Sequence, residues 1–70
     1  MNRRLLFING VAHGETITVG DWMQTFRIPI PNSWDYQEYR RETFVIDGEK
    51  YQVMVCGDLE EAFNYFCKRL

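Results

Sequence analysis

Seventy residues suffice for one domain but cannot bury a large core, so stability has to come from a few big side chains. An apolar content of 46%, with 16% aromatics, excludes a disordered chain, and no run approaches the roughly 20 apolar residues of a membrane helix. The net charge of −2 divides into three basic and three acidic residues over positions 1–35 and five and seven over 36–70, which supplies no general attraction for nucleic acid or anionic lipid.

Residues 3–9 form the first predicted strand. Leu5, Leu6, Phe7 and Ile8 are continuously apolar, the pattern of an interior strand covered on both faces. The opening MNRRLLFING has an arginine pair but only about four apolar residues in a row, short of the ~7–15 of a secretory signal. A cytoplasmic protein is expected. Asn9-Gly10 and Gly14 punctuate a loop, after which Ile17 and Val19 alternate with Thr16 and Thr18. This second strand, residues 15–19, is expected to pair with the first as a hairpin.

Gly20-Asp21 turns the chain into a third strand over residues 22–30. Trp22, Phe26, Ile28 and Ile30 share one face with Gln24, and Pro29, which has no N–H for a ladder, places the strand at an edge. Pro31-Asn32-Ser33 ends it. Residues 34–38 read as a polar and aromatic connector.

The clearest signal follows. Residues 39–46 and 49–56 are rich in aromatic and β-branched side chains and flank Asp47-Gly48, a dipeptide suited to the positive φ angles of a tight hairpin. A two-residue loop sets Ile46 opposite Glu49, Phe44 opposite Tyr51 and Glu42 opposite Val53. Alternation then puts Ile46, Phe44, Tyr51, Val53 and Val55 on the core face, with a mixed set including Arg41, Gln52, Met54 and Cys56 on the other.

After Gly57, residues 58–69 predict one helix. Asp58 is a good N-cap with Glu61 three residues later, and Lys68-Arg69 suits the C-terminal dipole. Leu59, Ala62, Phe63, Phe66 and Leu70 define its apolar face, while Tyr65 falls off that stripe. The fold expected is α+β: a single small domain with an antiparallel sheet of four to five strands and the C-terminal helix packed on one face.

Little chemistry is visible. His13 is the sole histidine and would need an orienting partner and a nucleophile to act as a base; a solvent-facing loop histidine is the simpler reading. The Gly10–Gly14 loop lacks a GK[ST] ending and leads into a strand, so no helix dipole is there to hold phosphate. Cys56 and Cys67 are too far apart for a disulfide if one ends a strand and the other lies late in a helix, and no CxxC or His–Cys cluster offers a zinc site. No cofactor, metal or enzymatic activity is expected. Mimicry of DNA by Asp58, Glu60 and Glu61 would require a far larger negative field.

The segment SWDYQEYRR holds the candidate binding residues Trp34, Tyr36, Tyr39, Arg40 and Arg41. Trp, Tyr and Arg dominate the energetics of protein interfaces, and aromatics interleaved with arginines also stack on bases and contact phosphates. Asp35, Glu38 and Glu42 offset the charge within the same stretch. An aromatic connector held by ion pairs within the sheet is the plainer account.

The opening LLFINGVAHGETITV is similar to the start of many small uncharacterised proteins of tailed bacteriophages, through Leu5 to Asn9, Gly10, His13-Gly14 and Thr16 to Val19. The Tyr39-Arg40-Arg41 segment before a hairpin closed by Asp47-Gly48 also resembles these proteins. The resemblance implies a phage or prophage origin and, because small phage accessory proteins often bind and redirect a host enzyme, a host-protein partner in the host cytoplasm. The function expected is a non-enzymatic protein-binding module. The alternatives are a small nucleic-acid-binding domain using the Trp34–Arg41 segment, and a self-associating structural protein pairing through strand edges or the outer helix face. A membrane partner is not expected.

Overall fold

In the computed structural model, which describes residues 2–70, the chain runs through β1 (Asn2–Ile8), a 3-10 turn at Gly10–Ala12, β2 (Thr16–Gly20), β3 (Thr25–Pro29), β4 (Tyr36–Ile46), β5 (Glu49–Val55) and α1 (Leu59–Arg69). The strands form one sheet in the order β2-β1-β5-β4-β3. The architecture is α+β.

The β4–β5 hairpin forms in the predicted register, with Ile46 opposite Glu49, Phe44 opposite Tyr51 and Glu42 opposite Val53. Asp47 and Gly48 have φ of 52° and 80°, the pattern of a type I′ turn whose twist matches the strands it joins. β1 and β2 pair antiparallel, with Leu5 opposite Ile17. β3 lies at an edge, as Pro29 requires.

Three expectations are corrected. The sheet is not wholly antiparallel, because β1 and β5 pair in parallel, with Phe7 opposite Met54. β1 and the end of β5 are both apolar on both faces, so the two come together at the buried centre of the sheet, where parallel pairs belong. The third strand starts at Thr25, not at residue 22; Trp22 lies in a turn closed by the Met23 N–H donating to Gly20 O at 3.0 Å. Finally, the connector proposed for residues 34–38 is mostly strand: β4 begins at Tyr36, which pairs with Pro29 of β3. Its alternating Tyr36-Gln37-Glu38-Tyr39 carries no apolar run to mark it.

Both faces of the sheet are core. On the first, Leu6, Ile8, Phe44, Val53 and Val55 pack against Ala62 and Phe66 of α1, so the helix covers the predicted core face. Asp58 caps it, accepting from the Glu61 N–H at 3.0 Å. Leu59 and Leu70 stay exposed, whereas Tyr65, expected off the stripe, joins the packed side. On the second face, Leu5, Phe7, Val19, Tyr39 and Met54 are buried with Ala12, although no helix lies there.

Curvature accounts for that burial. β5 and β4 separate β1 from β3, which in a flat sheet places them ~14 Å apart at ~4.8 Å per strand. Yet the rings of Phe7 on β1 and Phe26 on β3 meet edge to face with centroids 5.5 Å apart. The sheet therefore curls over its second face, and two loops close the ends of the trough.

Candidate functional site

Three successive inward positions on that face of β4 hold the loops in place. The Gln37 Oε1 accepts from the Val11 N–H at 2.6 Å. The Tyr39 hydroxyl donates to Asn9 O at 2.5 Å and accepts from the Ala12 N–H at 3.0 Å. Burial pushes the Tyr39 phenol pKa up, against the opposing effect of the Ala12 N–H bond, with Cys56 and Glu15 adding smaller rises. At the other end of the trough, the Arg41 guanidinium donates to Gly20 O at 2.8 Å, to Met23 O at 2.9 Å and to Gln52 Oε1 at 2.9 Å.

Tyr39 and Arg41 thus tie the trough shut from within. The five candidate residues are not brought onto one surface, because alternation along β4 sends Tyr36 and Arg40 to the helix side and Tyr39 and Arg41 to the trough side. Arg40 pairs with Glu42 at 3.0 Å and donates to Gly57 O at 2.8 Å, which anchors the link into α1. Tyr39 is fully buried.

What remains outward is the tip of the β3–β4 hairpin. Trp34 is entirely exposed, at 103% of its reference area, and Tyr36 is 51% exposed. Asn32, with φ of 60°, turns the chain here, and the Asp35 N–H donates to Ser33 Oγ at 3.1 Å. A depression of about 330 Å³ is lined by Asn32, Ser33 and Trp34. Arg27 of β3 lies over the Tyr36 ring, 4.6 Å from its centroid, and pairs with Glu38 at 3.3 Å. Arg27 escaped the sequence reading. Recognising β4 from Tyr36 onward would have found it, since Pro29–Tyr36 and Arg27–Glu38 are neighbouring pairs on one face.

A second concavity, of about 510 Å³, opens between the 3-10 turn and α1 and is lined by Asn9, His13, Asp58, Glu60, Glu61, Asn64, Tyr65 and Lys68. His13 Nδ1 accepts from the Asn9 N–H at 2.8 Å, which in a neutral ring assigns the proton to Nε2. Its ring lies 4.4 Å from that of Tyr65. Asn9 has φ 71° and ψ 167°, a region essentially reserved for glycine and costing about 1–3 kcal/mol. Bonds from three sides hold it there: its N–H to His13, its carbonyl to Tyr39 and its side-chain amide to Cys56 O at 3.0 Å. Gly10 follows with φ 70°, where a Cβ would sit 2.5 Å from Gln37 Oε1 and 2.6 Å from the Tyr39 hydroxyl; only glycine fits.

No serine, threonine or cysteine lines this cleft. Cys56 and Cys67 are partly buried free thiols. Among the described residues no cluster of three or more His, Cys, Asp or Glu could hold a metal ion, and no helix is long and apolar enough to cross a membrane.

The fold and surface define a small α+β domain with an aromatic hairpin tip. No protein-family model, curated protein or solved structure matches the chain.

Proposed function

We propose that this chain is a non-enzymatic protein-binding module that docks through the β3–β4 tip, and that it is a phage or prophage product redirecting a protein of the host cytoplasm. The observation that carries the reading is Trp34. Fully exposed, its indole contributes nothing to burial on folding; it lies two residues before Tyr36, whose ring carries Arg27, and these three residue types anchor protein interfaces. The phage origin rests on the resemblance of residues 5–19 and of the Tyr39-Arg40-Arg41 and Asp47-Gly48 segments.

Nucleic acid is the weaker partner because the arginines it would use are engaged within the fold. Arg41 bonds two carbonyls and Gln52, and Arg40 and Arg27 are each paired with a glutamate. The test is a tagged pull-down from bacterial lysate at low and high salt, comparing the wild type with Trp34→Ala. One host protein retained at high salt and lost with Trp34→Ala is the expected result. Nucleic acid retained only at low salt would overturn the reading, since phosphate contacts weaken steeply with salt.

A further inference from the structure

The two edges of the sheet are built differently. Along β3, the bonds from Ile30 N–H to Asp35 O and from Arg41 N–H to Gln24 O fix the even-numbered residues as those bonded to β4. The outward backbone groups therefore belong to Thr25, Arg27 and Pro29. Pro29 has no N–H and Arg27 is charged, two standard defences of an edge. Along β2, the Phe7 N–H donates to Glu15 O at 2.8 Å, so the odd residues bond β1 and the amides and carbonyls of Thr16 and Thr18 point away from the sheet. This edge, TITVG, has no proline and no charge, and its first four residues are β-branched.

We propose that β2 is a homodimerisation edge, pairing antiparallel with β2 of a second copy to join the two five-stranded sheets into one. The register follows from the residues. A two-fold axis through Thr18 would pair Thr16 with Gly20 of the other copy, but Gly20 O is already taken by the Met23 N–H and by Arg41, and Glu15 would face Asp21. An axis through Ile17 avoids both conflicts. It pairs Thr16 with Thr18 of the second copy and Thr18 with Thr16, each pair exchanging two ladder bonds for four in all. Ile17 then meets Ile17 at the close, non-bonded position on the trough side, where the half-buried side chain already packs against the second core cluster. Thr–Thr cross-strand pairs are favourable, and Asp21 lies opposite His13 in place of Glu15. A second copy of this chain supplies that self-matching order, as an isologous interface requires.

Sedimentation equilibrium from micromolar to millimolar protein tests this. The wild type is expected to show a concentration-dependent dimer. Thr18→Pro removes an outward amide that β1 does not use, which an edge strand tolerates. It abolishes two of the four bonds and weakens the dimer roughly 30-fold. The double variant Thr16→Lys with Thr18→Lys changes two exposed side chains and sets like charges directly opposite across the seam, so it is expected to be a folded monomer. In the wild type, hydrogen exchange at the Thr16 and Thr18 amides should slow as concentration rises. A monomer mass at every concentration, or a dimer that both variants leave intact, would overturn the proposal.

Discussion

The two faces of the sheet reach the same degree of burial by opposite means. On one, a single helix lays Ala62 and Phe66 onto Leu6, Phe44 and Val53, and the contact is apolar and periodic. On the other, two loops and the sheet's own curl provide the cover, fixed by Gln37, Tyr39 and Arg41 reaching from β4 to backbone groups. Apolar packing spreads its energy over many contacts, whereas the loop cover depends on a handful of directed bonds. The loop-covered face should accordingly open locally at lower cost than the helix-covered one.

Breaking the helical side should cost most. Phe66 is buried between the rings of Phe44 and Tyr51, with centroids 5.7 and 5.2 Å away. Phe66→Ala removes that packing and leaves a cavity, at about 3–5 kcal/mol. That is comparable with the whole stability of a domain this size. Urea denaturation followed by circular dichroism should show the cooperative transition nearly lost. A loss below about 1 kcal/mol would mean that α1 is a peripheral appendage.

The loop side is probed by Tyr39→Phe, which keeps the ring and removes the hydroxyl. The buried Ala12 N–H and Asn9 O then lose their partner, at about 1–3 kcal/mol. Hydrogen exchange should quicken over residues 10–14 while α1 is unchanged. The variant also has a pH signature. Burial raises the phenol pKa in the folded state, so the folded chain holds that proton more tightly than the unfolded one. Its contribution is complete below the unfolded value of about 10 and is lost as pH rises through the raised folded value. Between those two values wild-type stability should fall more steeply than that of Tyr39→Phe. Parallel alkaline limbs would show that Tyr39 ionises as freely in the fold as outside it.

This contrast also explains what the sequence made legible. The Asp47-Gly48 register, the interior character of Leu5 to Ile8, the edge role of Pro29 and the capped amphipathic helix are all local signals, carried by period or turn chemistry. The parallel β1–β5 join depends on where the chain goes between them, which no local pattern encodes. Residues 36–38 were missed as strand because a β-strand whose inward side chain is Gln37 has no apolar alternation there. Tyr39 and Arg41 looked like a binding surface for the same reason: a tyrosine or arginine that bonds a distant carbonyl reads no differently from one that faces solvent. Trp34 and Tyr36 stand out by residue type alone, since Trp, Tyr and Arg are the side chains that anchor interfaces, and the connector expected there gave no sign of the hairpin that presents them.

The smallest effect is the sharpest test of whether the loop cover acts as one unit. Gln37 holds the same 3-10 turn as Tyr39, but its acceptor meets the Val11 N–H at an exposed position, where water can replace it. Gln37→Ala should therefore cost only about 0.5–1 kcal/mol. Combined with Tyr39→Phe, however, it acts on a turn already loosened, and residues sharing a partner segment couple by about 0.5 kcal/mol or more. Arg41 grips the opposite end of the trough, at Gly20 and Met23, so Gln37→Ala with Arg41→Met should be additive. A double-mutant cycle reads both. Coupling within the Gln37–Tyr39 pair and none with Arg41 would mean that the two loops open independently. Equal coupling to Arg41 would mean that the curled sheet opens as a whole, and that the two faces differ in chemistry but not in cooperativity.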